Sequence, residues 1–197
     1  LPGYPFGSLL PYSLDHHGRP LLLLSHLAKH TRNLTADPRC SLTLTEQGDG
    51  DSQQLARLCC LGRVTPAADL PTWEQERHFR YFPHSRSYYE QLNFNFHLLE
   101  TERFYWVGGF GAARWLDPGR LSQPARFSPE EEEGLLQALV ATPPLLLSGN
   151  LKGEPVGVDS EGIDLLRGDQ LLRLPLDPAV TGSDEIPYRL QQIILPE

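Results

Sequence analysis

The stretch of the chain that is richest in ligand-binding groups is SHLAKHTRNL, residues 25–34. At the spacing of an α-helix, four polar residues fall at i, i+3, i+4 and i+7 and form one stripe: His26, Lys29, His30 and Asn33. Arg32 lies beside this stripe, and Ser25 is the predicted N-cap. Unpaired backbone N–H groups, the helix dipole and cationic side chains meet at such a helix start, and all three attract an anion.

A phosphate or carboxylate group is the ligand that this pattern predicts. Each charge-assisted hydrogen bond contributes roughly 1.5 to 3 kcal/mol, and the helix dipole adds about 0.3 to 1 kcal/mol. Three or four contacts would hold a phosphorylated ligand at about micromolar strength. The alternative is an exposed helix whose cations balance nearby acidic residues, and the residues alone favour it, because polar stripes are common on surface helices.

The other potentially reactive residues do not form the pattern of a catalytic or metal site. His16 and His17 lie in a predicted turn, and Ser85 lacks the glycines of a nucleophile elbow. The three cysteines, Cys40, Cys59 and Cys60, are odd in number, so they indicate neither a disulfide framework nor a metal pair. The run EEEE at 130–133 predicts a solvated first helical turn. No metal site and no hydrolase is predicted.

Composition limits the class of protein. A chain of 197 residues with 40% hydrophobic content can bury one good core and a small appended unit. A formal net charge of −8 argues against nucleic acid or an anionic membrane surface as the partner. There is no apolar run of membrane-spanning length and no signal-peptide pattern, and the cysteine usage suits a reducing compartment. We therefore expect a cytoplasmic protein.

The first 121 residues predict about six strands and few helices. Apolar and alternating segments predict strands at 7–15, 21–25, 40–46 and 55–67, with two more within 96–117 that are joined through glycines. Helices are predicted after Ser25, ending at Asp37, and over 71–82, where a proline begins the helix.

From about residue 122 a polar, proline-containing connection leads into a second unit. Ser128 and Glu131 have the spacing of a capping box, and the turns DSEG and RGDQ divide residues 154–177 into a β-meander. A final amphipathic helix is predicted within 183–195. We therefore predict two domains, residues 1–121 and 122–197, in a mainly β chain with α (the α+β class).

Three blocks of the sequence resemble a known family. They begin with PGYPFGSLLPYSLDHHGRPLLLLSHLAKHTRNLTADPRCSLTL, continue with ARLCCLGRV and end with RYFPHSRSYYEQLNFNFHLLETERFYWVGGFGAARWLD. Together they resemble the pyridoxamine 5'-phosphate oxidase-related FMN-binding split-barrel superfamily, and within it the heme-utilisation (HugZ-type) branch. The similarity runs over residues 2–117, and residues 150–195 resemble more weakly the small α/β domain that follows the barrel in that branch.

This resemblance implies a six-stranded antiparallel split β-barrel, an obligate homodimer and a ligand groove between the subunits. It also implies a set of residues that bind the cofactor or line its pocket: Ser8, Tyr12, Ser25, Lys29, His30, Arg32, Asn33 and Arg57. The first strand carries Ser8 and Tyr12 where flavin-dependent members have basic phosphate ligands, and the last histidine of the chain is His97, whereas heme-degrading members use a later one.

Three functions follow as hypotheses. The first is a protein of the heme-utilisation type that binds heme, with or without an oxidoreductase activity that degrades it. The second is an oxidoreductase that uses FMN in the same groove. The third is a non-catalytic binding member of the superfamily. All three share a small anionic ligand held near residues 25–33, and no catalytic residue is assigned in any of them.

Overall fold

The computed structural model describes residues 3–46, 48, 51, 53–109, 111–120, 127–141 and 153–189. The chain divides into two compact units. The first consists of Leu1–Leu70 with His84–Ser122, and the second of Pro71–Pro83 with Gln123–Glu197. Each unit combines helices with an antiparallel sheet, so the fold is mixed α and β and dominated by antiparallel pairing.

Six strands of the first unit form one sheet. They are β1 (Ser13–Leu14), β2 (Pro20–Ser25), β3 (Arg39–Thr45), β4 (Arg57–Pro66), β5 (Phe94–Val107) and β6 (Ala113–Leu116). The helices of the chain are α1 (Lys29–Ala36), α2 (Thr72–Tyr81), α3 (Ser85–Gln91), α4 (Pro129–Ala141) and a helix α5 that includes residues 186–189. Of these, α1 and α3 belong to the first unit and α2, α4 and α5 to the second.

The sheet of the first unit is built around β5. Its order is β1-β2-β5-β4-β3, and β6 pairs with the later part of β5. A β-bulge bends the β4–β5 pair where Leu61 faces Arg103 and Gly62 faces Thr101. A Cβ atom on Gly62 would lie 2.0 Å from the Glu100 carbonyl oxygen, so only glycine fits there.

The six predicted strands and their antiparallel pairing are confirmed, and the bent sheet is consistent with the predicted split barrel. Among the described strands, β1 and β3 end the hydrogen-bonded ladder and do not pair with each other, so no closed barrel forms. The four leucines of β2 are all buried, which explains their uninterrupted apolar run. Leu22 and Leu24 pack with Cys60, Val64 and Leu99 in one core cluster.

Two expectations about the first unit are wrong. The strand predicted over 7–15 shortens to Ser13–Leu14, so Ser8 and Tyr12 precede it. Ser25 is not the N-cap of α1, because a turn intervenes and the helix begins after Ala28. No element was predicted over residues 85–91, where the structure forms helix α3.

The second unit confirms the predicted meander. Strands β7 (Glu154–Asp159), β8 (Gly162–Arg167) and β9 (Gln170–Pro175) pair in sequence order. The capping box is present, since the Ser128 N–H donates to Glu131 Oε2 at 2.8 Å and the Glu131 N–H to Ser128 Oγ at 3.2 Å. The last predicted helix is helical at 186–189, and its residues 190–195 lie outside the described residues.

Helix α2 belongs to this second unit, although the sequence placed it within the first domain. The reason is a buried ion pair. Arg77 Nε donates to both carboxylate oxygens of Glu132 at 3.2 Å, and Arg80 reaches the same carboxylate at 3.2 Å. Glu132 is only 4% exposed, so the run EEEE is not a fully solvated turn. Glu132 also accepts the Val158 N–H of β7 at 3.3 Å, which joins α2, α4 and β7.

Tyr81 extends this polar network. Its hydroxyl donates to Asp164 Oδ2 at 2.7 Å, and burial raises the pKa of the phenol, so the hydroxyl keeps its proton. A Cβ atom on Gly157 would lie 1.9 Å from the Tyr81 hydroxyl oxygen, which explains why a glycine interrupts β7.

Replacing Glu132 by alanine should destabilise the second unit by about 3 to 5 kcal/mol, because the guanidinium of Arg77 would stay buried without its partner. Glu133→Ala is the matched control. Its carboxylate is half exposed, pairs with Arg80 and accepts a hydrogen bond from Gln137 Nε2 at the surface, so the loss should stay below about 1 kcal/mol. Denaturant unfolding followed by circular dichroism measures both, and equal losses would contradict the structural role of Glu132.

Candidate functional site

The start of α1 is the centre of the candidate site. Between β2 and α1 the chain makes a tight turn, in which the Ala28 N–H and the Thr31 hydroxyl both donate to the Ser25 carbonyl, at 3.1 and 2.7 Å. The Ser25 hydroxyl accepts the Leu27 N–H at 3.3 Å. No side chain caps α1, and its first turn holds no acidic residue. This leaves the first N–H groups of the helix, before the bond from Arg32 to the Ala28 carbonyl, available to a ligand.

Two cations flank these N–H groups. Lys29 and Arg32 are exposed, and neither forms an ion pair with any residue that the structure describes. The carboxylate at the other end of the helix, Asp37, is bound to Arg39 instead, whose hydrogen bonds lower the pKa of Asp37 to about 2. Such a helix start has the charges and donors that attract an anion, and an anion site there stays a prediction.

His30 lies on the inner side of this helix start. Its Nδ1 is 3.1 Å from Ser8 Oγ, so Ser8 and His30 come together as predicted. Tyr12, a few residues beyond Ser8, packs against the core cluster of the sheet, where burial, and then the thiol of Cys60, raises the pKa of its hydroxyl. Tyr12 is thus next to the core rather than free at the surface.

Two predicted residues lie apart from this group. Asn33 is exposed, and its backbone carbonyl accepts the Asp37 N–H at 2.9 Å, which places it at the end of the helix. Arg57 pairs with Val107, the last residue of β5, whereas Ser25 pairs with Phe94, the first. Within one chain, Arg57 and the start of α1 therefore lie at opposite ends of β5.

His97 is a residue of the site that the sequence did not reveal. It pairs with Leu22 of β2 and so lies on the face of the sheet that carries the core cluster. Burial, followed by the charge of His97, lowers the pKa of His30. The alternation of Asn95, His97 and Leu99 could have indicated this inward direction.

Exposed apolar side chains surround the start of α1. His26 Nδ1 donates to the Asn93 carbonyl at 3.1 Å, and Ser8 contacts His30, so three separate segments meet at this corner. Each segment carries a leucine that is more than half exposed: Leu9, Leu27 and Leu92. An anion site with an apolar surround suits a ligand that has an acidic end and an apolar body.

Within the described ranges, no cluster of three or more His, Cys, Asp and Glu side chains could hold a metal ion. In the same ranges, no helix has both the length and the apolar character needed to cross a bilayer. The three cysteines are free, as expected.

Residues 1–122 match the family model described as "CREG, beta-barrel". The chain belongs to the CREG beta-barrel family. The CREG match covers the described strands of the first unit and the start of α1. The match supports the predicted split-barrel superfamily.

Relatives of this CREG beta-barrel chain include one protein whose name refers to heme. A 42-residue stretch is 48% identical to "Non-canonical heme oxygenase HOZ, chloroplastic" of Arabidopsis thaliana, which is 21% of this chain and 13% of that protein. The chain therefore spans a small part of this relative.

Two solved structures have the same fold as this CREG beta-barrel chain. The protein Atu2129 of Agrobacterium tumefaciens, of unknown function, is 23% identical with a TM-score of 0.72 over 98% of this chain and 84% of that one. A heme binding protein from Mycobacterium smegmatis is 23% identical with a TM-score of 0.56 over 98% and 86%. At this identity the likeness concerns the fold.

In the native protein, Cys60 should react with iodoacetamide at pH 8 about tenfold or more slowly than Cys59. Cys60 is 2% exposed, and burial, with the nearby thiols of Cys59 and Cys40, raises its pKa to about 11. Mass spectrometry of timed samples measures the rates, and the denatured protein, in which the cysteines should react alike, is the control. Equal rates in the native protein would contradict this inward position.

Proposed function

We propose that this chain is a heme-binding split-barrel protein of the heme-utilisation type. The observation that carries the proposal is the start of α1, where Lys29 and Arg32 form no ion pair with the described residues and lie beside N–H groups without a side-chain cap. Heme is a flat apolar ring with two carboxylates on one edge. The carboxylates would bind these donors, and the ring would cover the exposed leucines around them.

The names of two similar proteins support heme over other acidic ligands. One is a heme oxygenase of Arabidopsis thaliana and the other a heme binding protein of Mycobacterium smegmatis. Membership of the HugZ-type branch and any degradation of the heme are part of the same proposal.

The residues present fit the acidic edge of heme. Lys29, Arg32 and the first N–H groups of α1 would bind the two carboxylates, and bound heme would supply a redox-active iron. His30 does not suit the role of iron ligand in this conformation, because its Nε2 has no exposed surface and its Nδ1 contacts Ser8. The proposal therefore assigns the binding residues and leaves the iron ligand unassigned.

A second copy of the chain completes the proposed groove. Large apolar side chains of the first unit are exposed in the single chain: Tyr4, Phe6, Leu9, Leu27, Tyr88, Leu92 and Trp115. Leu9, Leu27 and Leu92 meet at the corner of α1, and pairing with another copy is the proposed reason for the exposure of these side chains. Arg57, remote from α1 in its own chain, would then reach a groove through the partner.

Heme added to the purified protein should produce a Soret band, and Lys29→Ala with Arg32→Ala should weaken binding roughly tenfold or more, since two charge-assisted contacts are lost. Arg39→Ala with Arg63→Ala is a control of equal charge, because these arginines pair with exposed carboxylates. Titration followed by absorbance measures each Kd. Equal weakening by both pairs would show that net charge, and not this site, matters.

The same titration separates the alternatives. FMN binding with flavin absorbance and no Soret band would favour the flavoprotein. No binding of either would favour the non-catalytic member and would remove the heme proposal. Loss of heme absorbance after a reductant and oxygen are added is the sign of degradation.

In solution the protein should have twice the mass of the 22.2 kDa chain. Leu9→Glu with Leu92→Glu should raise the dimer dissociation constant roughly tenfold or more, since charges replace exposed apolar contacts. Val140→Glu, on the exposed face of α4, should leave the mass unchanged. Sedimentation equilibrium measures all three, and a wild-type monomer would overturn the dimer.

A further inference from the structure

The ring of His30 is held in a way that opposes its protonation. Nδ1 is bonded to Ser8 Oγ, while Nε2 has no exposed surface and no hydrogen-bond partner in the described part of the chain. A neutral ring can direct its single N–H to Ser8 and leave only a lone pair buried. A charged ring must bury a second N–H without an acceptor, which is unfavourable.

The groups that face His30 are neutral or positive. Ser8 contacts its ring from the segment before β1, and the charge of His97 on β5 acts on it. Cys60 lies in the core cluster against which Tyr12 and Leu34 of α1 pack. On its own helix, His30 is flanked by Lys29 and Arg32, and it lies in the first turn, at the positive end of the helix dipole. No ion pair links any of these groups to a carboxylate of the described residues.

We propose that anion binding at the start of α1 is coupled to protonation of His30, so that affinity rises as the pH falls. This inference rests on the anion site of the proposed function. A negative group placed beside Lys29 and Arg32 would attract the positive charge of a protonated His30 and so offset part of the cost of burying it. Because coupling is reciprocal, a protonated His30 in turn strengthens the hold on the anion.

The sign of the effect follows from the protonation states. In the free protein the pKa of His30 lies below its ordinary value, because of burial and then of His97. A bound anion raises that pKa. Affinity should therefore increase as the pH falls through the pKa of the complex and level off below the pKa of the free protein. For charges about 6 Å apart, the gain in affinity is roughly threefold at the dielectric constant of bulk water and roughly a hundredfold at that of a protein surface.

Sulfate is a suitable probe, because it keeps its charge over the pH range in which phosphate titrates. The NMR signals of the α1 amides report binding, and the ring protons of His30 report its titration. We expect sulfate to bind more tightly at pH 5.5 than at pH 8 and to raise the pKa of His30. His30→Gln should remove most of this pH dependence, whereas His26→Gln should keep it, since His26 is exposed and binds the Asn93 carbonyl.

Two results would overturn the coupling. If sulfate shifts the α1 amides while the titration of His30 stays the same, the anion site exists and the coupling to His30 is wrong. If neither sulfate nor heme shifts the α1 amides at any pH, the anion site and the coupling are both wrong. The direct titration of the His30 ring in the wild-type protein decides the question even where His30→Gln fails to fold.

Discussion

The pairing of β5 with three neighbouring strands is the constraint on which the first unit depends. β5 holds β2 along its first residues and β6 along its last, and β4 follows its other edge. Because β5 fixes the end of β2, it also fixes Ser25 and hence the place where α1 begins. The same strand carries His97, which pairs with Leu22 of β2. One strand therefore sets the register of both β2, which leads into α1, and His97.

In the second unit, Glu132 has a comparable role. It accepts hydrogen bonds from Arg77, Arg80 and the backbone of β7, and so connects two helices with the sheet. The sequence could not show this, because nothing in a run of four glutamates indicates that one of them is buried. Identifying the buried one requires knowing that α2, which is distant in the chain, packs there.

Local patterns predicted most of the fold. Alternation located the strands of both sheets, and the capping box located α4. The errors came where a competing local structure decides the outcome, as at Ser25, whose hydroxyl caps the turn before α1 and not the helix itself. The strand predicted over 7–15 is also shorter than expected. Its early part, which holds Ser8, is not paired in the sheet, and the Ser8 side chain contacts His30 instead.

For the candidate site, sequence spacing predicted which residues are neighbours within one helix. It could not predict which residues of different helices and strands come together. The cations of residues 25–32 could be read directly, because helical geometry makes them neighbours. His97 could not, since its approach to His30 depends on the register of β2 with β5. For Arg57 the error runs the other way. The family resemblance placed Arg57 in the same site as α1, but the strand pairings put Arg57 and the start of α1 at opposite ends of β5 within one chain.

The turn between β2 and α1 is only three residues long, His26 to Ala28. A helix advances about 100° per residue, so one inserted residue there would rotate Lys29 and Arg32 by more than a quarter of a circle and aim them elsewhere. Length variation at this joint should therefore mark family members that have changed or abandoned their ligand, even where every charged residue is retained.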